Sequence, residues 1–257
     1  MPKSSTTGTR FLLLDEIRGF AIICMVFFHG FYLLGYILGF SVGIELFEFF
    51  MPAEPFFAGA FIVISGMCCR FSHSNIKRGL ILFAVAILLT AATIGLTRFG
   101  IDEIIKFGIL HLLAVSILIF ALLRPVLNKI PALLQIIIFL VLFIITLNVE
   151  NGYIGIANFS LKLPAITHDQ VYLFPFGLRS VDFASSDYFP ILPWTFLFLA
   201  GSAFGIYGQR GKFPYFFCTS HIKPLQFAGR YSLWIYLFHQ PVLFLLAQAI
   251  KVILKLG

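Results

Sequence analysis

The chain has 257 residues, of which 60% are hydrophobic, 17% aromatic and only 11% charged, with a mean hydropathy of +0.99. A soluble domain is roughly 45–50% apolar and about 25% charged, so a water-soluble globule is excluded, and 33 Phe residues in long apolar runs exclude disorder, collagen and coiled coil. The net charge of +7 is spread over short segments between those runs, where Lys and Arg set orientation and meet anionic lipid headgroups rather than nucleic acid.

A membrane-spanning helix needs about 20 mainly apolar residues. The runs that qualify are 17–40, 55–69, 79–97, 107–123, 131–149, 189–207 and 227–250, which predicts an all-α bundle of seven spanning helices in one polytopic domain over 1–257. Residues 1–14 read as a cytoplasmic N-terminal segment. Asp15, Glu16 and Arg18 stand where the apolar core of a cleaved leader would begin, so the segment is expected to stay in the mature chain.

The first helix carries a polar seam. At a period of 3.6 residues, Asp15, Arg18, Ile22, Met25, His29, Tyr32 and Tyr36 share one face. Asp15 and Arg18 are three apart and can pair, either as an interfacial anchor or as part of a site. His29 lies roughly 16 Å beyond Arg18 along the axis, near the middle of a hydrocarbon core about 30 Å thick. A neutral imidazole at that depth suits a general base or acid, and core hydrogen bonding is the structural alternative.

The second run is short and is extended by Phe49, Phe50 and Met51, with Pro52 and Pro55 in a first turn or at a kink. The fourth opens on FGILH, which places His111 one turn inside, with Ser116 further along. Between the fifth and sixth runs lies a long loop, 150–188, with His168, Asp169, Arg179, Asp182 and many aromatics; it reads as a lid over the outer mouth. Asp187 and Tyr188 close that loop. Asp187 is expected to cap the sixth helix or to orient a base, and Trp194 to join an aromatic belt. In the last run, which contains Pro241 and is expected to kink or tilt there, Ser232, Tyr236 and His239 fall on one face. Three helices can thus converge polar groups on one cavity, or the same groups can serve as packing glue.

With the N-terminus inside, Lys3, Arg10, Arg18, Arg70, Lys77, Arg78, Arg124, Lys129, Arg210, Lys212 and Lys223 lie on the cytoplasmic side. Only Arg98, Lys106, Lys162, Arg179, Lys251 and Lys255 lie opposite, partly offset by Asp102 and Glu103, which favours that orientation. The four cysteines show no CxxC pair and read as small hydrophobes. Phosphate-cradling loops, dinucleotide fingerprints, HExxH and GxSxG are absent from the sequence.

The segments LDEIRGFAIICMVFFH, FFAGAFIVISGMCCRFS, FGILHLLAVS, SSDYFPILPW and AGRYSLWIYLFHQPV, in this order, resemble the catalytic-domain family of heparan-alpha-glucosaminide N-acetyltransferase, in its small bacterial form. The first segment also resembles the wider superfamily of membrane acyltransferases that acetylate cell-surface polysaccharides. That resemblance implies a transmembrane acyltransferase fold and transfer of an acetyl group from cytoplasmic acetyl-CoA to an amino or hydroxyl group of a sugar or glycan across the membrane. It assigns His29, His111 and Asp187 to catalysis and Asp15, Arg18, Tyr188, Ser232, Tyr236 and His239 to the motifs. Arg18, Lys77 and Arg78 are expected to meet the phosphates of the donor, and no metal is expected. The implied partners are an acyl-CoA donor, a glycan acceptor, membrane lipids and, as an open alternative, a second copy in a homodimer; the implied location is a bacterial inner membrane. The lysosomal animal members carry an amide residue where this chain has His29, and no histidine falls between Gly30 and Arg70 here. Two alternatives stay open on residues alone: a proton-coupled transporter or channel using the buried His and Asp groups, and a haem protein with His29, His111 or His239 as axial ligands.

Overall fold

The computed structural model describes residues 10–99, 103–164, 172–180 and 182–254. His168, Asp169, Asp102, Lys3, Lys255 and most of the N-terminal segment lie outside the described residues. Among the described residues the protein is nearly all helical, and seven helical spans are long and apolar enough to cross a membrane. Many of their large apolar side chains point outward, among them Leu88 at 68% exposure, Leu122 at 75% and Leu245 at 68%, which is the pattern of an integral membrane protein with lipid as its solvent.

The helices are α1 (Leu12–Tyr32), α2 (Ser41–Phe50), α3 (Glu54–Phe71), α4 (Asn75–Leu96), α5 (Ile109–Leu127), α6 (Ala132–Thr146), α7 (Ile191–Gln209), α8 (Lys223–Arg230) and α9 (Ser232–Leu254). Beyond α1 the chain widens into a π-helical turn at Leu33–Ile37, and a 3₁₀ turn at Met51–Ala53 joins α2 to α3, so the short second run becomes one long span with its prolines at the joint. Tyr36 stays beside Tyr32, with ring centroids 5.1 Å apart, and both rings pack on Phe47, although Tyr36 is 51% exposed. The last run differs more. It is not one helix: α8 stops at Arg230, Tyr231 turns, and α9 then runs through Pro241.

The chain forms two compact units. One comprises residues 1–61 with 213–257; the other comprises 62–212. In the first, α8 lies backbone to backbone on α1, with α9 and α2 also against α1. Glu16 fixes where α8 starts. Its Oε1 accepts the amides of His221 (2.6 Å) and Ile222 (3.0 Å) and the Ser220 hydroxyl (3.1 Å), which satisfies donors that open the short helix.

In the second unit, α4 packs on α5, and α7 packs on α5 and α6. Arg70 of α3 is only 3% exposed there and meets neutral acceptors: Nε donates to the Ser202 carbonyl (3.0 Å), Nη1 to Asn128 Oδ1 (2.8 Å) and Nη2 to Gln135 Oε1 (3.2 Å). The Phe120 ring faces its guanidinium at 4.9 Å. The loop between α6 and α7 is not featureless, holding a two-stranded antiparallel pair, β1 (Tyr153–Ile154) and β2 (Leu161–Lys162). Trp194 packs between Phe143 and Phe189.

Candidate active site

Two histidines meet within the first unit. His29 comes from the last turn of α1 and His239 from α9, with ring centroids 5.0 Å apart and planes inclined at 50°. His239 is 7% exposed, and its Nδ1 lies 2.7 Å from the Tyr236 carbonyl oxygen. A carbonyl only accepts, so Nδ1 carries the proton and Nε2 of the neutral ring is a bare lone pair. That Nε2 is buried with no hydrogen-bond partner among the described residues. An orphaned buried acceptor costs about 1–3 kcal/mol, which a visiting donor would recover. Ser232 and Tyr236 share the buried face of α9 with His239, whereas Leu233, Trp234 and Phe238 are exposed.

The polar start of α1 belongs to the same unit. Asp15 is 7% exposed and takes Arg10 Nε at 2.8 Å and Arg18 Nη1 at 3.7 Å, and Arg18 stands 6.0 Å from the centre of the Phe61 ring. Glu16 Oε2 faces His221 Nδ1 at 3.3 Å. The sequence carries no local signal for that capping role, because its partners lie at the other end of the chain.

The second unit collects His111, Asp187 and Tyr188. His111 is 3% exposed and both ring nitrogens are engaged: Nδ1 accepts the Gly108 amide (3.2 Å), so the proton sits on Nε2, which reaches Thr90 Oγ1 (3.2 Å); that hydroxyl donates to the Ile105 carbonyl (2.7 Å). Asp187 caps a helix, but not the one that follows it. Its Oδ2 accepts the Ile109 amide (3.1 Å) at the start of α5. The cause is a short antiparallel zipper in which the Ser186 amide donates to the Ile104 carbonyl, Gly108 pairs with Tyr188, and the Phe189 amide donates to the Phe107 carbonyl. Asp187 turns that corner at φ +50°. The Tyr188 hydroxyl donates to the Phe174 carbonyl at 2.5 Å, and burial, reinforced by the Glu150 carboxylate, raises its phenol above the ordinary range. Ser116 bonds Thr195 across α5 and α7 at 2.8 Å, a packing link. Lys77 and Arg78 are exposed in the first turn of α4.

The expected residues therefore gather as His29 with His239 in one unit and His111 with Asp187 in the other. Among the described residues no group of three or more His, Cys, Asp or Glu side chains is arranged to hold a metal ion. Compared with known proteins, residues 10–241 match the model of a family described as heparan-alpha-glucosaminide N-acetyltransferase, catalytic. No curated protein and no solved structure matches the chain.

Proposed function

Because the chain belongs to the heparan-alpha-glucosaminide N-acetyltransferase catalytic family, a family of membrane acetyltransferases, we propose that it moves an acetyl group from cytoplasmic acetyl-CoA to an amino or hydroxyl group of a sugar on the far side of the membrane. The observation that carries this reading is the His29–His239 pair, with one buried basic nitrogen lacking a donor.

In the reaction, the base removes the proton from the acceptor as its nitrogen or oxygen lone pair attacks the acetyl carbonyl carbon. The bond from that carbon to sulfur breaks, and the CoA thiolate leaves and takes up a proton. His29 is the general base, and His239 Nε2 shares the proton, directly or through one water, from a ring whose centroid is 5.0 Å away. The same pair also suits an acetyl-imidazole route, in which His29 attacks first and the acceptor displaces it.

The distribution of Lys and Arg supports a cytoplasmic N-terminus. On that side Arg18 of the first unit and, taken separately, Lys77 and Arg78 of the second are the side chains we assign to charge-assisted hydrogen bonds with the donor phosphates. His111 and Asp187 both hold the start of α5, and we assign them to positioning. Labelled acetyl transfer in proteoliposomes tests the reading. His29→Ala should cut turnover by roughly 10²–10⁴-fold while the melting temperature stays within a few degrees. Full activity in that variant removes His29 from the chemistry.

A further inference from the structure

We propose that His29 and His239 form a binding site for a zinc-class divalent ion, which occupies the pair reversibly and stops acyl transfer while it is bound. The binding stands on geometry alone; the inhibition rests on the acyltransferase reading above.

The two rings come from α1 and α9 of the first unit, and their separation is the first argument. Zinc lies about 2.0–2.1 Å from each ligating nitrogen with tetrahedral angles, which sets two imidazole centroids about 5 Å apart, whereas linear coordination needs about 6 Å. The centroids here are 5.0 Å apart, with the planes inclined at 50°. Ring lone pairs lie in the ring planes, so inclined planes let them converge on one point, which parallel stacking does not.

The second argument lies one shell further out. A ligating histidine characteristically donates its other ring N–H to a carbonyl or carboxylate, which fixes the tautomer and orients the bare nitrogen. His239 has that arrangement already: Nδ1 donates to the Tyr236 carbonyl at 2.7 Å, and Nε2 is buried without a partner among the described residues. His29 makes no hydrogen bond among the described residues, so its neutral ring also has a lone pair to give. Both ligands are ready without losing a proton, and coordination breaks no covalent bond. His111 shows the contrast, with one ring nitrogen on the Gly108 amide and the other on Thr90 Oγ1.

Ligand type sets the class of ion. Imidazole nitrogen suits zinc and its transition-metal neighbours, while magnesium and calcium require oxygen. Among the described residues no third His, Cys, Asp or Glu joins the pair, which leaves the remaining positions to water. Structural zinc sites fill all four positions from the protein. A two-ligand site therefore releases its ion readily, and while occupied it withholds both of the nitrogens that acyl transfer uses.

The test uses the full chain without a polyhistidine tag, stripped by chelator, in nanodiscs of phosphatidylcholine alone. Zinc is titrated calorimetrically with no donor or acceptor present, and Co²⁺ replaces it for visible spectroscopy. Losing an outer-shell partner alone costs about 10–100-fold in metal affinity, so His29→Gln and His239→Gln should each weaken zinc binding at least about tenfold. The double variant His73→Gln/His221→Gln, which removes histidines elsewhere, should bind zinc as the parent does, and magnesium should not compete. Co²⁺ should give the intense visible bands of a tetrahedral site, a readout on the parent chain that no folding defect in a variant can imitate. Labelled acetyl transfer should fall over the same zinc concentrations that fill the site and return on chelation. No zinc binding to the parent, a pale octahedral Co²⁺ spectrum, or binding lost in the His73/His221 variant and kept in the other two overturns the inference. So does a filled pair with transfer undiminished. Zinc held by the pair in a chain that transfers acetyl to no acceptor sinks the acyltransferase reading and leaves the metal site standing.

Discussion

Gly229 rests on the Asp15 carbonyl so closely that a Cβ at position 229 would stand 1.7 Å from that oxygen, and one at Gly19 would stand 1.8 Å from the Leu225 carbonyl oxygen. Backbone atoms cannot yield as a flexible side chain can. Gly229→Ala or Gly19→Ala should therefore push α8 off α1 at a cost of about 1–3 kcal/mol. Thermal unfolding in detergent checks this, and an unchanged melting temperature contradicts the close approach.

Arg70 joins α3, α5, α6 and α7 through neutral acceptors. Arg70→Ala should leave Asn128 and Gln135 oxygens buried without their donor and destabilise the protein by about 3 kcal/mol. Arg70→Lys should recover only part of this, because one ammonium cannot match a planar fork aimed at three acceptors. Melting curves of the two variants separate lost charge from lost geometry.

His111 and Asp187 act on consecutive amides, those of Gly108 and Ile109. Their truncations should be non-additive, with a coupling of about 0.5–3 kcal/mol in a double-mutant cycle of His111→Ala and Asp187→Ala. Asp187→Asn should be milder than Asp187→Ala, since Asn also tolerates φ +50° and keeps an acceptor. Strict additivity would show that the two caps serve different ends.

Tyr188 is buried as a neutral phenol with a raised pKa. Below the ordinary phenol pKa of about 10 both folded and unfolded states hold the proton; above it the unfolded state releases it first and gains stability. The native protein should lose stability from about pH 10 upward more steeply than Tyr188→Phe. Parallel stability–pH curves for the two would refute the burial of that phenol.

The spanning helices were legible because lipid imposes one composition over some twenty residues, and the buried stripe of Ser232, Tyr236 and His239 was legible because period alone sets it. What stayed hidden depends on remote partners. The apolar run 227–250 gives no sign of a break at Tyr231, because α8 starts where Glu16 captures the His221 amide from 205 positions away. Asp187 stands beside α7 in sequence, yet it serves α5, 78 positions upstream, through a zipper no local pattern announces.

Since α8 and α9 complete the unit that α1 begins, the ribosome makes the first and last pieces of that unit some two hundred residues apart. A nascent chain halted after Lys212 would already own every residue of the other unit, while Glu16 still waited for the amides of His221 and Ile222. That unit is thus completed only when its second segment arrives, and loss of α8 and α9 is felt first at α1.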